Sequence, residues 1–240
     1  MGALEIRGLR KQFGGVAALA GVDLTIVEGE ILGIVGPNGS GKTTLFNVIT
    51  GVHKPTAGTV TWRGRDMTGT PAHAVSHAGI AHTFQQAMAF PGLSVLENVQ
   101  IATEHCRTDG ERPFPWPTPD DLIGFVGLQA LRHEIAGVLP FGNLRLLGIA
   151  LALATRPSLL LLDEPAAGLN DKETTTLVEL VQQLPGHGIS VCVIDHDMSL
   201  MQRLCRRLVV LDFGSKIADG PTAEVLADPK VLEVYLGGAL

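Results

Sequence analysis

Cysteine and aromatic residues are scarce in this chain of 240 residues. Three residues are cysteines and 5% are aromatic, so the apolar content is almost entirely aliphatic. Cys106, Cys192 and Cys205 lie far apart and form no C-x-x-C pair, which excludes a small disulfide-stabilised fold and favours a reducing compartment. The length allows one large domain or two small ones, with a sizeable buried core.

Long apolar runs are also missing, although 45% of the residues are hydrophobic and the mean hydropathy is +0.27. The most apolar stretch, residues 146–154, is interrupted by Thr155, Arg156 and Pro157, and it is far shorter than the roughly 20 residues of a membrane-spanning helix. The first residues carry charges where a signal peptide needs an apolar segment. We therefore expect a cytoplasmic protein that lies against a membrane without crossing it.

An excess of positive charge is absent as well. The 18 basic and 24 acidic residues give a net charge of -6. Because nucleic-acid binding depends on neutralising phosphates with a basic surface, this balance argues against DNA or RNA as the main partner.

The apolar pattern predicts an α/β fold with a mostly parallel sheet core. Residues 4–7 and 22–26 alternate between apolar and polar, and we assign them to an N-terminal antiparallel β part. Strands buried on both faces are predicted where the sequence is continuously apolar, at residues 31–35, 159–162 and 189–194.

A mainly helical pattern separates the first of these buried strands from the other two. Ser94 and Glu97 have the spacing of a capping box, and further helices are predicted from Pro119 and after Pro140. We expect a single domain over residues 1–240. Its α/β core would comprise about 1–86 and 156–240, and its helical subdomain about 87–155.

A glycine-rich motif between a predicted strand and a predicted helix carries the strongest chemical signal. Residues 36–43 read GPNGSGKT and match the phosphate-binding pattern G-x-x-x-x-G-K-[ST]. Its glycines let backbone N–H groups point at phosphate oxygens, its lysine supplies a positive charge, and Thr43 offers a hydroxyl to Mg²⁺. The candidate phosphate-binding residues are Gly36, Pro37, Asn38, Gly39, Ser40, Gly41, Lys42, Thr43 and Thr44.

Two carboxylates close the apolar run LLLLDEP at residues 159–165. Alone, such a pair is commonly a solvated strand end or a helix cap. Beside a phosphate-binding loop, Asp163 is a candidate ligand of Mg²⁺ and Glu164 a candidate base that polarises the water attacking a γ-phosphate.

His196, in VIDHDM, follows another apolar strand. A single histidine there commonly has a structural role, but an imidazole beside a γ-phosphate would orient water and stabilise developing charge. Asp195 and Asp197 flank His196 and are candidates to orient its ring, although Asp197 is equally a candidate cap of the next helix.

Over residues 4–237 the sequence resembles the ATPases of ATP-binding cassette (ABC) transporters. Besides the motifs above, HTFQQ resembles the Q-loop, LPFGN the signature motif, AAGLN the D-loop and His196 the switch histidine. The resemblance implies that Gln85 contacts Mg²⁺ and water, and that Gly142 and Asn143 cover an ATP held by the opposite subunit. It also implies that Phe13 stacks on adenine, with a core aromatic as the alternative.

Within the family, QFGGVAAL, HTFQ, AAGLN, IDHDM and PKVLEVYLG are similar to the ATP-binding subunits of branched-chain amino acid importers. ATPases for urea or amide uptake share most of these features, and the ATPase for lipopolysaccharide export shares them to a lesser degree. The resemblance implies that the protein binds ATP with Mg²⁺, and that it forms a dimer with a second copy of this chain or with a paralogous ATPase. It also implies that transmembrane permease subunits are its partners. It further implies an indirect partner, a periplasmic or extracellular substrate-binding protein, and a location on the inner face of the cell membrane.

The signature motif and the helix after it depart from the family pattern. Pro140 replaces the usual Ser. The helix has apolar residues or glycine where the family usually has Gln, Arg, Glu and Arg, at Leu144, Leu146, Gly148 and Leu151. A helix that is apolar on all sides should be buried or covered by a partner.

Two rival functions remain open. The altered signature is compatible with a degenerate regulatory ATP-binding subunit, but Glu164 and His196 favour an enzyme. A soluble ABC ATPase of DNA repair or translation is the second rival. Such proteins normally carry two cassettes or a long coiled-coil insertion, and this sequence has neither.

Overall fold

The computed structural model describes residues 3–83, 89–104 and 115–236. Its strands are β1 (Leu4–Phe13), β2 (Val16–Ile26), β3 (Ile31–Val35), β4 (Ala57–Trp62), β5 (Arg65–Asp66), β6 (Ile80–Thr83), β7 (Leu159–Asp163), β8 (Ser190–Ile194), β9 (Arg207–Asp212) and β10 (Ser215–Pro221). Its α-helices are α1 (Lys42–Ile49), α2 (Ala72–His77), α3 (Val95–Glu104), α4 (Pro119–Phe125), α5 (Phe141–Ala154), α6 (Asp171–Gln183), α7 (Met198–Leu204), α8 (Thr222–Ala227) and α9 (Pro229–Leu236). Short 3₁₀ helices are formed by Gln129–Leu131, Ala136–Val138 and Leu184–His187.

Two sheets form the framework, and they confirm the predicted fold class. A six-stranded sheet has the order β10-β9-β3-β8-β7-β6, in which β10 is antiparallel to β9 and the other neighbouring pairs are parallel. A four-stranded antiparallel sheet has the order β2-β1-β4-β5. Strands β1 and β2 are longer than the sequence pattern predicts. Their antiparallel pairing continues past the alternating segments through several shifts of register, which interrupt the alternation of apolar and polar residues.

The parallel strands are buried on both faces, as their continuous apolar sequences predict. Side chains of β7 alternate between two hydrophobic clusters: Leu159 and Leu161 belong to one, and Leu160 and Leu162 to the other. Cys192 in β8 is a fully buried core residue with a free thiol. The period of two along each strand therefore fills the core on both sides of the sheet.

Helices α3, α4 and α5 lie between β6 and β7 in the chain and pack on one another. The predicted capping box is confirmed, because the Ser94 N–H and hydroxyl donate to Glu97 Oε2 and the Glu97 N–H donates to Ser94 Oγ. The apolar helix α5 buries Leu147, Ile149 and Leu153 completely or almost so. The extent of a helical subdomain over 87–155 stays a prediction.

Among the described residues, no helix is both long enough and apolar enough to cross a membrane.

Gly33, in the centre of β3, tests how tightly this core is packed. A Cβ atom at Gly33 would lie 2.4 Å from Leu208 Cδ2 and 2.5 Å from Met201 Cε. We therefore expect Gly33→Ala to lower the free energy of unfolding by about 1–3 kcal/mol, since overpacking forces neighbours to shift. Urea denaturation measures the change.

Gly186 provides the matched control, because a Cβ atom there would meet open space. Gly186→Ala should leave the free energy of unfolding unchanged or raise it slightly. Equal effects of the two substitutions would contradict the packing described for β3.

Candidate functional site

The chemistry-bearing motifs meet at one edge of the parallel sheet. Strands β3, β8 and β7 are neighbours in that order and run in the same direction. The glycine-rich loop therefore follows β3, Asp195 and His196 follow β8, and Asp163 closes β7 with Glu164 directly after it. Ligands of parallel α/β sheets bind at this carboxyl edge.

The backbone of the loop at residues 36–41 requires glycine at its turning points. Gly36, Gly39 and Gly41 have φ angles of 149°, 81° and 104°, which residues with a Cβ atom rarely adopt. Space is limited as well, because a Cβ atom on Gly41 would lie 2.5 Å from the Ala18 carbonyl oxygen. Helix α1 begins at Lys42, directly after the loop, so its N-terminal N–H groups lie beside the loop.

Lys42 is buried and held by its own loop. Its Nζ donates to the carbonyl oxygens of Gly36 at 2.7 Å and Pro37 at 2.9 Å. Burial lowers the pKa of Lys42, whereas the carboxylates of Glu164 and Asp163 raise it. The two carboxylates therefore help to keep this buried amine charged.

Asp163 lies at the end of β7 with almost no exposed surface. Burial, together with the charge of Glu164, raises its pKa to about 6, although Lys42 acts in the opposite direction. Its Oδ1 atom is enclosed and has no hydrogen-bond partner within the described ranges. An enclosed anionic oxygen in this state is well suited to a cation and its water ligands.

Glu164 has an unusual backbone conformation for a residue other than glycine. Its φ angle is 45°, and its N–H donates across the sheet to the Ile194 carbonyl oxygen at 2.8 Å. Its Oε1 lies 3.5 Å from His196 Nδ1, and His196 remains 65% exposed. Strained backbone of this kind costs of order 1–3 kcal/mol and is concentrated at functional sites.

Asp195 orders the turn that presents His196. Its buried Oδ1 accepts from the backbone N–H groups of His196 and Asp197 and lies 3.6 Å from His196 Nδ1. Burial raises the pKa of Asp195, and those hydrogen bonds act in the opposite direction. Asp197 caps helix α7 by accepting from Ser199 and Leu200, so its capping role is confirmed.

Arg145 is a residue of this site that the sequence did not single out. It is buried on α5, and its Nη2 makes a long contact of 3.4 Å with the Ala167 carbonyl oxygen. Burial lowers its pKa, while Asp195, Glu164 and Asp163 raise it. A buried cation on α5 therefore interacts electrostatically with all three carboxylates of the sheet edge.

The remaining predicted residues lie in other places. Phe13 is 44% exposed, with its ring edge-on to His53 and the Lys11 ammonium 4.7 Å from the ring centroid, so it is not a core aromatic. Gly142 and Asn143 lie in the first turn of α5 and are absent from the lining of the cavity over the phosphate loop. Gln85 lies outside the described residues.

The cavity over the phosphate loop has a volume of about 400 Å³. It is lined by Val16, Ala17, Ala18, Asn38, Gly39, Gly41, Lys42, Thr43, Thr44, Glu164 and Phe213. Phe213 is 86% exposed, and it was not identified from the sequence because nothing in its local motif marks it. The cavity is lined by the glycine-rich loop, a buried cation and a carboxylate, which are the groups that hold a polyphosphate and act on it.

Comparison with known proteins gives two family matches. A family described as ABC transporter matches residues 19–167. A second, described as branched-chain amino acid ATP-binding cassette transporter, matches residues 215–240.

The chain is also similar to individual proteins over nearly its whole length. It is 36% identical to the high-affinity branched-chain amino acid transport ATP-binding protein BraF of Pseudomonas aeruginosa, with 98% of each chain covered. It is 35% identical, at the same coverage, to LivG of Escherichia coli, which has the same description.

Solved structures with a similar fold include two ATP-binding cassettes. The ADP conformation of MJ1267, an ATP-binding cassette of an ABC transporter, matches with a TM-score of 0.88 at 32% identity, with 99% of each chain covered. A dimeric post-hydrolysis state of the cassette MJ0796 bound to ADP and Pi matches with a TM-score of 0.78 at 26% identity, covering 91% of this chain and 98% of that one.

The pKa of Asp163 leads to a prediction about stability and pH. Because this pKa is raised from 3.8 to about 6, the folded protein binds the proton more tightly than the unfolded chain. Stability should fall as the pH rises between these values and then stay low. Asp163→Asn, which mimics the neutral acid, should be more stable than the wild type by about 1–3 kcal/mol at about pH 7.5, and by roughly a third of that difference at about pH 4.5.

Urea denaturation of both proteins at the two pH values, without nucleotide or metal, measures this difference. Glu179→Gln, at an exposed position of α6, is the control and should show no such dependence. If Asp163→Asn were less stable than the wild type at neutral pH, the ionised carboxylate would be a stabilising group and our account of it would be wrong.

Proposed function

Because this chain belongs to the ABC transporter family of ATP-binding cassettes, we propose that it is the ATP-hydrolysing subunit of an importer for branched-chain amino acids or related small solutes. Relatives at 35–37% identity are described as branched-chain amino acid transport proteins, and the C-terminal family match has the same description. The observation that carries the proposal is the meeting of the phosphate loop, Asp163, Glu164 and His196 at one sheet edge.

ATP would bind with its phosphates on the loop at residues 36–44. Backbone N–H groups of Gly39 and Gly41 and the start of α1 provide positive potential, and Lys42 adds a full charge. In the described state Lys42 Nζ is satisfied by two carbonyl oxygens, so phosphate oxygens would compete with those acceptors. Phe13, exposed on β1, would stack on adenine.

Mg²⁺ would be held by the Thr43 hydroxyl, by Asp163 and by Gln85. The enclosed, unsatisfied Oδ1 of Asp163 supports a cation at this position within the described part of the chain. When bound, the ion would neutralise charge on the phosphate oxygens.

Glu164 and His196 would act on the γ-phosphate side. Glu164 would accept a proton from the attacking water, because its carboxylate lines the cavity at the loop. His196, with its Nδ1 near both Glu164 and Asp195, would orient that water through its exposed side. These intact groups favour an active ATPase over a degenerate regulatory subunit.

Gly142 and Asn143 would serve a second subunit. They do not line the cavity of their own chain, and they lie at the N-terminus of the 14-residue helix α5, where N–H groups have no helical partner. We propose that they cover the ATP of the opposite subunit in a head-to-tail dimer. The opposite subunit would be a second copy of this chain or a paralogous ATPase. The related cassette MJ0796 has been solved as a dimer with ADP and Pi.

The general-base role of Glu164 is tested by Glu164→Gln. Glutamine keeps the size of the side chain but does not take up the proton, so ATP hydrolysis should fall by roughly 10²–10⁴-fold. ATP affinity should stay within about two-fold, because affinity depends mainly on the loop. Phosphate release measures turnover, and gel filtration with ATP should detect a trapped dimer.

Lys42→Ala is the contrasting variant in the same assays. It should weaken ATP binding itself by more than about ten-fold, because it removes the buried charge of the loop. Lys230→Ala, at an exposed position of α9, should change neither property. Undiminished hydrolysis by Glu164→Gln would end the base assignment, and unchanged affinity of Lys42→Ala would end the phosphate-loop assignment.

A groove between β6 and α5 supports docking of a permease helix. It has a volume of about 300 Å³, and Val52, Ile80, Gly148, Leu151 and Ala152 are among its mostly apolar lining residues. Burial lowers the pKa of His82 in this groove to about 4, so the imidazole is neutral at physiological pH. An ATPase of a transporter needs a membrane partner, and we propose an apolar helix of the permease as the occupant, which places the subunit on the inner face of the membrane.

Leu151→Glu tests this docking site by placing a charge in the groove. Co-purification with co-expressed permease subunits should fall by at least about five-fold, since an apolar helix of the permease would have to displace the water around the added carboxylate, while ATP binding should be unchanged. Leu232→Glu, on the exposed side of α9, should retain the permease. Equal recovery by both variants would remove the groove assignment, and a wild type that recovers no permease would remove the importer assignment.

A further inference from the structure

Tyr235 is the single tyrosine of the sequence, and no role described above uses it. It lies near the end of α9, and its ring packs against the hydrophobic cluster that contains Val35, the last residue of β3. The C-terminal family match at residues 215–240 includes this helix. A residue remote in sequence from the phosphate loop therefore belongs to the same core cluster as the strand that leads into that loop.

The hydroxyl group of Tyr235 is enclosed and incompletely satisfied. Burial raises its pKa to about 12, and the backbone of Gly36 acts in the opposite direction, as an amide close to the oxygen does. The hydroxyl nevertheless has no partner at full hydrogen-bond geometry in the described part of the chain. An enclosed hydroxyl that falls short of a neighbouring amide is unfavourable unless another state completes the bond.

Gly36 is the residue through which this hydroxyl reaches the loop. A Cβ atom on Gly36 would lie 2.1 Å from the Leu211 carbonyl oxygen and 2.7 Å from Ser40 Oγ, so its backbone is confined on two sides. Its carbonyl oxygen accepts from Lys42 Nζ at 2.7 Å. One residue therefore faces Tyr235 through its N–H and the lysine of the loop through its carbonyl oxygen.

Ser40 provides a second enclosed hydroxyl beside Gly36. Its Oγ atom is enclosed, yet it lacks a hydrogen-bond partner among the residues that the structure describes. Two enclosed hydroxyls, on Tyr235 and Ser40, therefore flank Gly36 without completed bonds. A small movement of the loop on binding phosphate would change the surroundings of both.

We propose that Tyr235 is a positioning residue for the phosphate loop: its hydroxyl oxygen accepts a hydrogen bond from the Gly36 N–H when ATP is bound. This bond fixes the Gly36 peptide in the state in which Lys42 turns from the loop carbonyls to the phosphates. The inference rests on the proposed binding of ATP to this loop. It extends that function by coupling the C-terminal helix to nucleotide affinity.

Tyr235→Phe tests the inference, because it removes only the hydroxyl and keeps the ring in the core. Binding of a non-hydrolysable ATP analogue with Mg²⁺ should weaken by about three- to ten-fold in a calorimetric titration. The KM for ATP should rise by a similar factor, with kcat within two-fold. The unfolding temperature without nucleotide should be unchanged or higher, because the hydroxyl has no completed bond in that state.

Thr222→Val is the matched control. It also removes one buried hydroxyl from the C-terminal region, and that hydroxyl donates to the Cys205 carbonyl oxygen at 2.6 Å. Since this bond is complete without nucleotide and does not touch the loop, its loss should lower the unfolding temperature. Affinity for the ATP analogue should not change.

The outcomes separate the two levels of the proposal. If the wild type binds the analogue and Tyr235→Phe binds it equally well, the positioning role is wrong while the proposed function stands. Weaker binding by Tyr235→Phe together with a lower unfolding temperature without nucleotide would indicate a structural role, and would also overturn the inference. If the wild type binds no ATP analogue, both the positioning role and the proposed ATP-binding function are wrong.

Discussion

The parallel pairing of β3, β8 and β7 is the constraint on which the rest of the site depends. It brings three carboxylates, from Asp163, Glu164 and Asp195, to one buried edge beside Lys42. Burial raises the pKa of Asp163 to about 6 and also raises that of Asp195. The fold therefore maintains an electrostatic arrangement that its own residues satisfy only in part, as preorganised catalytic sites do.

The groups at this edge that favour ligands form two complementary sets. The glycine-rich loop and α1 present N–H groups and a lysine, which favour anions, while Asp163 presents an enclosed oxygen, which favours a cation. A nucleoside triphosphate with a divalent ion supplies both the anion for the loop and the cation for Asp163. Binding would therefore relieve unfavourable electrostatics at two places on one sheet edge, at the ends of β3 and β7, which only β8 separates.

Much of this site was predictable because its parts are contiguous in sequence. The phosphate loop lies between an apolar strand and a helix, and Asp163 and Glu164 close another apolar strand, so local pattern fixes their place in the fold. Arg145 and Tyr235 were not predictable in the same way. Arg145 acquires its importance from carboxylates far away in the chain, and Tyr235 from the packing of α9 against the core.

Exposure was equally difficult to predict. Trp116 lies between Pro115 and Pro117, in a sequence without helix or strand periodicity, yet its ring is buried against Phe125 and His187. Phe213 is the converse, an aromatic residue left 86% exposed at the mouth of the phosphate cavity. Burial of single aromatic residues depends on which elements pack together, and the sequence pattern around each residue does not contain that information.

Helix α5 accounts for part of the high content of apolar residues in this chain. Leu147, Ile149 and Leu153 are buried in the core, and Gly148 and Leu151 line the groove beside β6. Arg145, on the same helix, interacts with the carboxylates of the sheet edge. A partner seated in the groove and a nucleotide at the sheet edge would thus act on one rigid element, so any shift of α5 would be felt at both places.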